Sequence, residues 1–365
     1  MSKHIVIDGR IRRSSTGRYI DRLVEHLQNI DKTNRYTFLL QQDDPWQPKS
    51  SNFSVAKTKY GQFSLNPLHE LGFARQLYKL KADLVHFTTN AQPIFYWRPS
   101  VTTTMDLTML RFTRPGKTPL PIFWLKMAAY RFLFWLGNKR SKHIITISKF
   151  VKKDLQTHYP FTDGKVTVTH CASEPPLDTE TMIPEGIKRP FIFYVGTAFP
   201  HKNLDKLVDA FMMLQERRPD LMLVLAGKQE QYYDKLADHI GENNISNVVL
   251  TGFIPDEELK WLYQNAEAYV FPSLSEGFGL PGLEAMVHGC PVVSSNATSL
   301  PEVYGDAAHY FDPNEPADMA EKIAEVIEDT GLRKSLISKG YAQVKKYSWK
   351  RMAEQTLAVY KSVIK

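Results

Sequence analysis

The stretch Ala268-Tyr269-Val270-Phe271-Pro272-Ser273-Leu274-Ser275-Glu276-Gly277-Phe278-Gly279-Leu280-Pro281-Gly282-Leu283-Glu284-Ala285-Met286 decides how this chain is read. Ala268–Phe271 is short and apolar, the pattern of a buried strand. Leu283, Met286 and Val287 repeat at helical spacing until Gly289, so a helix is expected over Pro281–His288. Proline suits the first helical position, where its missing N–H costs nothing. In this strand–turn–helix unit the N–H groups of Gly279, Leu280 and Gly282 would face out of the helix start and favour an anion such as a diphosphate. Glu276, in the turn, would reach hydroxyls in front of the helix. Glu284, one turn in, would accept from a diol such as a ribose. A phosphate cradle beside two hydroxyl-binding carboxylates suits a nucleotide sugar. Glutamates at a helix start also complement the helix dipole without any ligand, so the residues alone leave both readings open.

The same alternation extends outward. In the first half strands are expected at His4–Asp8, Tyr36–Leu40, Leu84–Phe87, Val101–Met105, His143–Ile147 and Val166–Val168. Helical spacing occurs at Arg18–Leu27, Pro67–Leu80, Ile122–Leu136 and Lys149–His158. In the second half strands are expected at Phe191–Val195, Met222–Ala226, Val248–Leu250, Ala268–Phe271 and Pro291–Ser294. Helices are expected near Asn203–Gln215, Gln231–His239, Asp256–Tyr263, Pro281–His288 and Pro316–Glu328. Such alternation makes parallel sheets covered by helices on both faces. Between the halves the chain turns proline-rich and aperiodic. The expected class is α/β, with doubly wound domains over 1–172 and 191–347, a linker over 173–190 and a last segment over 348–365.

A chain of 365 residues is long enough for two domains, each with its own core. The longest apolar stretch, Ile122 to Leu136, is broken by Lys126 and Arg131 and is too short to span a bilayer. No apolar leader precedes the strand expected at His4. Cys171 and Cys290 lack metal-ligand spacing and read as reduced thiols of a cytoplasmic protein. The net charge of +7 favours anionic ligands or surfaces. Ile122–Leu136 carries Phe123, Trp124, Tyr130, Phe132, Phe134 and Trp135, with Arg111, Arg114, Lys117, Lys126, Arg131, Lys139 and Arg140 nearby. Aromatics lie all round that helix, more than one buried stripe needs. Peripheral contact with the inner face of a membrane is one reading of it. No recognition motif accompanies the charge, which argues against nucleic acid.

The run from Phe271 to Asn296 resembles the donor-site signature of the retaining glycosyltransferases of family 4, which have the GT-B architecture. The matching residues are Glu276 and Glu284 with seven residues between them, Gly277-Phe278-Gly279, Glu284-Ala285-Met286, Gly289-Cys290-Pro291-Val292-Val293 and Leu300-Pro301-Glu302. The resemblance implies two Rossmann-like domains facing across a cleft, with the last helix, Trp349–Ile364, crossing back to the first. It implies that Glu276 holds donor-sugar hydroxyls and Glu284 the ribose. Lys202, just after Gly196-Thr197-Ala198-Phe199-Pro200-His201, would hold the diphosphate with the backbone at Gly279 and Leu280. Gly196, Thr197, Gly277 and Phe278 would complete the donor site. Many relatives carry arginine where this chain has Thr197, so Lys202 and the helix start must do more. His201 reads as an assisting group or an exposed structural histidine.

On the acceptor side the resemblance points to Gly17 and Arg18; by their places at strand ends Asn90 would bond an acceptor hydroxyl, and Asp106 would hold a sugar hydroxyl or the acceptor, or only cap its strand, with Asp106 counted beside Glu276 and Lys202 as catalytic. Many relatives have His-Asp-Leu where this chain has Met105-Asp106-Leu107. Arg10, Arg12, Arg13 and Arg18 make the Ser14-Ser15-Thr16-Gly17 loop basic, which reads as a face for a phosphate-bearing acceptor or as a solvated face. His86 reads as a packed strand histidine. Asp43-Asp44 lacks the strand-end context of a metal-binding pair, and neither a metal nor a cofactor is expected. The expected function is retaining transfer of a hexose from GDP-mannose or a UDP-sugar to a glycan or glycolipid, in surface polysaccharide or glycoconjugate synthesis. A GT-B nucleotide-sugar epimerase and a non-catalytic nucleotide-sugar-binding protein remain as alternatives, and the donor base, sugar and acceptor stay open.

Overall fold

The computed structural model of the chain describes residues 2–14, 16–62, 64, 66–112, 118–228 and 231–364. Ser15, Arg114 and Lys117 of the sequence reading lie outside the described residues. The chain divides into two compact units, Met1–Cys171 with Ser348–Lys365, and Ala172–Tyr347.

Among the described residues the first unit holds seven strands: β1 (His4–Asp8), β2 (Arg35–Gln41), β3 (Phe53–Thr58), β4 (Leu84–Phe87), β5 (Ser100–Thr104), β6 (His143–Thr146) and β7 (Val166–Val168). They form one parallel sheet in the order β3-β2-β1-β4-β5-β6-β7. Its helices are α1 (Gly17–Ile30), α2 (Pro67–Lys79), α3 (Thr108–Arg111), α4 (Leu120–Arg140) and α5 (Lys149–His158). The second unit holds β8 (Phe191–Val195), β9 (Met222–Ala226), β10 (Val248–Gly252), β11 (Ala268–Phe271), β12 (Val292–Ser295) and β13 (Ala308–Phe311). These pair in parallel in the order β10-β9-β8-β11-β12-β13. Its helices are α6 (Leu204–Arg217), α7 (Gln231–Glu242), α8 (Asp256–Asn265), α9 (Leu280–Val287), α10 (Leu300–Tyr304), α11 (Pro316–Glu328) and α12 (Thr330–Val344). The last helix, α13 (Trp349–Val363), belongs to the first unit and packs along α1.

Each sheet runs outward from its first strand in both directions. The connection reverses between β1 and β4, and between β8 and β11. At such a switch the flanking loops diverge to opposite faces and leave a crevice beyond the carboxyl ends of the strands, where ligands of doubly wound folds sit.

The central strands of both sheets are buried, as parallel strands under helices must be, while the edge strands β3, β7, β10 and β13 are partly open. The polar β5 needs a further account. Thr102, Thr103 and Thr104 are all fully buried. Thr102 bonds Ser141, Thr103 bonds His86 and Tyr19, and Thr104 bonds Asn90. β-Branched side chains fit the pleat and every hydroxyl finds a partner, so the strand tolerates burial. In α13 the buried residues Trp349, Met352, Ala353, Thr356, Leu357 and Tyr360 follow the spacing of one helical face, and Ser348 caps the start by accepting from the Arg351 N–H. Tyr360 Oη lies 2.6 Å from His86 Nδ1, which ties this helix to β4.

Several boundaries differ from the sequence reading. β5 ends at Thr104, so Met105 lies one residue beyond it. α4 extends to Leu120 and Arg140, because Pro119 and Ser141 rather than the aromatic run set its limits. β3, β13, α3, α10 and α12 were not expected.

Candidate functional site

The second-unit crevice is built by the loops after β8 and β11. β8 gives way to Gly196 at φ 151°, where a Cβ would lie 2.6 Å from Tyr194 Oη. The loop is tied from beneath: Tyr233 donates to Gly196 O at 2.9 Å and Tyr194 to Thr197 O at 3.0 Å. Pro200–Lys202 forms a single 3-10 turn. Asn203 follows at φ 61°, and its buried amide donates to Pro272 O at 3.2 Å and Pro313 O at 2.7 Å. This strap holds the β8 loop against the β11 loop. Lys202 Nζ consequently lies 2.5 Å from Glu276 Oε1, with both side chains largely shielded. Glu276 is itself held by its backbone, donating to Thr298 Oγ1 and accepting from Ser299 Oγ, each at 3.0 Å. His201 is buried and stacked on Phe199, not exposed. The tight turn tucks its ring inward.

α9 begins at Leu280, one residue before the expected start, so Pro281 is its second residue. That position also lacks an intrahelical acceptor, and proline is tolerated there. Gly279 takes φ 97°, which a side chain would strain. A Cβ on Gly282 would meet the Tyr304 ring at 2.3 Å, so both glycines serve close packing. Tyr304 donates to Gly279 O at 2.6 Å. One turn on, Tyr263 donates to Glu284 Oε2 at 3.3 Å while its ring stacks on His288 at 4.9 Å. Gly277 and Phe278 are buried within the turn. Burial, and then the Glu276 charge, push the hydroxyls of Tyr194 and Tyr304 well above the usual tyrosine range. Both remain protonated donors that brace the loops.

The first unit has a cavity of about 260 Å³ at the ends of β4 and β5, lined among others by Thr16, Asn90, Met105, Asp106, Tyr130 and Phe134. Asn90 donates to Thr104 Oγ1 at 3.0 Å. Asp106 accepts the Thr108 N–H at 2.8 Å and so starts α3 while it lines the cavity. Gly137 lets α4 press on this rim, since a Cβ there would lie 2.9 Å from Asn90 O. Gly17 opens α1 and cannot carry a side chain, because Arg12 O would lie 1.6 Å from its Cβ. Arg18 is exposed in the first turn of α1.

The other arginines of this loop do not form an open phosphate face. Arg10 is buried on Asp8 at 2.7 Å, lies over the Phe73 ring at 3.8 Å, and donates to Gly61 O and Ala91 O. Arg12 pairs with Asp44 at 2.8 Å and with Asp21, and Arg13 with Asp43 at 2.8 Å. The Asp43-Asp44 pair thus neutralises the loop, a partnership hidden by sequence separation. His86 is packed between Tyr360 and Thr103 Oγ1, the latter at 2.8 Å, and burial pushes its pKa down to about 3. Among the described residues no three His, Cys, Asp or Glu side chains gather as a metal-binding cluster.

Two family models match the chain. "Glycosyl transferases group 1" matches residues 180–343, and "Glycosyltransferase Family 4" matches residues 16–175. The chain is 34% identical over 235 residues to the O-antigen chain mannosyltransferase B of Escherichia coli, covering 60% of this chain and 61% of that protein. It is 37% identical over 171 residues to the serotype-specific mannosyltransferase WbdA of Escherichia coli, covering 45% of this chain and 20% of that one. The matched part thus spans about three fifths and one fifth of these relatives' lengths. The sucrose-phosphate synthase of Thermosynechococcus elongatus superposes with a TM-score of 0.77 at 18% identity, covering 99% of this chain and 98% of that one.

Proposed function

The chain belongs to the group 1 glycosyl transferases and has their GT-B fold, and from that premise we propose that it transfers a hexose from a nucleotide sugar to a glycan or glycolipid with retention of anomeric configuration. The observation that carries this reading is the Lys202–Glu276 contact at 2.5 Å, made between the loops after β8 and β11 and just ahead of the α9 start. It puts one ammonium, one carboxylate and a helix N-terminus at a single crevice. Lys202 and the Gly279 and Leu280 amides hold the diphosphate. Glu276 accepts from hydroxyls of the donor sugar, and Glu284, steadied by Tyr263, from the ribose. The mannosyltransferases among its relatives favour GDP-mannose as the donor and surface polysaccharide as the product.

In the reaction the bond from the anomeric carbon to the diphosphate oxygen breaks while the acceptor hydroxyl bonds to the same face of that carbon. The acceptor proton passes to the departing phosphate oxygen. Lys202 and the helix start offset the charge that develops there. This route needs neither a protein base nor a metal, and it accommodates Met105. Asn90 and Asp106 are the acceptor-side groups.

A thermal-shift panel of UDP-, GDP- and ADP-hexoses tests the reading. Stabilisation by one nucleotide series supports it, and no response to any of them refutes it. Met105 lining the first-unit cavity favours a second reading, a protein that binds the donor without turnover.

A further inference from the structure

A surface helix of a globular unit normally turns its apolar stripe inward and a polar one to water. α4 has apolar stripes on both sides. Its inner side, with Phe123, Met127, Leu133 and Phe134, is buried, and Tyr130, Leu133 and Phe134 line the first-unit cavity. On the outer side Trp124, Leu125, Ala128, Phe132 and Trp135 recur at spacings of one, three, four and three residues, which is a single helical face. That face is open to solvent: Trp124 is 52% exposed, Leu125 62%, Phe132 49% and Trp135 38%. Leu120 and Ile122 add exposed apolar surface at the amino end. A contiguous patch of this kind marks an interaction surface.

The charge around the patch has one sign. α4 contains no acidic residue, and Lys126, Arg131, Lys139 and Arg140 are its charged side chains. At its carboxyl end cations and rings are interleaved. The Arg140 guanidinium lies 3.4 Å over the Trp97 ring, and Lys139 and Lys165 lie 4.9 and 5.7 Å from the Phe161 ring, which itself meets Trp135 edge-on. Amphipathic cations and indoles in this mixture settle where hydrocarbon meets charged headgroups. A protein partner would need a shaped, mostly uncharged core with polar rims. This surface instead offers a long apolar ridge flanked by cations. Among the described residues no helix is long and apolar enough to cross a membrane, so the surface suits lying along a bilayer.

We propose that α4 docks the protein on an anionic lipid surface, with Trp124, Leu125, Phe132 and Trp135 in the headgroup–acyl boundary and Arg131 and Lys139, on the same side of the helix, on the headgroups. The inner side of the same helix forms one wall of the cavity, so the docked helix sets that cavity beside the bilayer. This inference stands on α4 and does not depend on the transfer reaction.

The test is flotation of the full chain with phosphatidylcholine vesicles, with and without phosphatidylglycerol. Binding is expected at least tenfold stronger to the anionic vesicles, weakening as salt is raised, with a blue shift of tryptophan emission on binding. Trp124→Ser combined with Leu125→Ser should lower anionic-vesicle binding at least tenfold at an unchanged melting temperature. Arg131→Glu combined with Lys139→Glu should abolish the preference for phosphatidylglycerol. Absence of binding to either vesicle overturns the proposal. So does a solution dimer that the Trp124 and Leu125 substitutions dissociate, since that would assign the ridge to a second copy of the chain. Nucleotide-induced thermal shifts, measured in parallel, report on the donor site separately. Vesicle binding without a nucleotide response would refute the proposed reaction and leave this surface standing.

Discussion

Lys202 Nζ and Glu276 Oε1 lie 2.5 Å apart although 74 residues separate them in sequence. The pair joins the cation proposed for the diphosphate to the carboxylate proposed for the sugar. A bound diphosphate would compete with Glu276 for the ammonium, so the two groups act against each other until donor arrives. Glu276→Ala should therefore abolish transfer while binding of free nucleoside diphosphate is unchanged or tighter. Lys202→Ala should weaken that binding by about 1.5–3 kcal/mol, the range for a hydrogen bond to a charged group. Calorimetry with UDP, GDP and ADP checks both. Equal loss in the two variants would show that the roles are not divided in this way.

Glu284 should behave differently from Glu276. Its partner is proposed to be the ribose, so Glu284→Ala should weaken binding of the nucleoside diphosphate itself by about 1–3 kcal/mol. Tyr263→Phe removes the hydroxyl that donates to Glu284 at 3.3 Å. A smaller loss of about 0.5–1.5 kcal/mol is expected from it. A Tyr263→Phe effect equal to that of Glu284→Ala would mean that the tyrosine contacts the nucleotide directly.

What the sequence made legible follows from range of contact. β11, its glycine turn and α9 are contiguous, so local pattern and the resemblance to family 4 suffice to find Glu276 and Glu284. Lys202 is found through the resemblance. The braces of the site are not legible. Asn203 acts by reaching Pro313, 110 residues away, and Tyr304 by filling the space over Gly279 and Gly282. Nothing local distinguishes these residues from ordinary turn and core positions. The clue for Asn203 was its place directly before α6, where asparagine tolerates the left-handed backbone it adopts. β3 escaped because Phe53-Ser54-Val55-Ala56-Lys57-Thr58 lies at a sheet edge, where lysine and serine break the apolar run. The pairing within the basic loop was not legible because its neutralising carboxylates, Asp43 and Asp44, come from the loop after β2.

His86 makes the first unit acid-sensitive. Burial holds its pKa at about 3 in the folded chain, against about 6.5 when unfolded. Between these values the unfolded chain binds the extra proton. Its contribution to stability is full above about pH 6.5 and falls as pH drops toward 3, by up to about 1.4 kcal/mol per pH unit. Melting temperatures across that window should show a shallower decline for His86→Gln, which keeps polar contacts without titrating. Parallel native and variant curves would remove His86 as the cause.

Transfer should survive chelation. Lys202 and the start of α9 are proposed to supply the positive charge beside the diphosphate. Activity in excess EDTA should match activity in magnesium or manganese. Complete loss with EDTA, restored by either ion, would overturn the metal-free assignment.

The proposed reaction requires that the native chain, with Met105 beside Asp106, catalyses transfer. Native protein should be incubated with UDP-, GDP- and ADP-hexoses and a panel of soluble and lipid-carried glycan acceptors, and the product linkage read by proton NMR. Transfer from one donor series with the donor's anomeric configuration kept is expected, with only a modest rate change in Met105→His. Tight donor binding with no transfer by the native chain, followed by transfer in Met105→His, would contradict it.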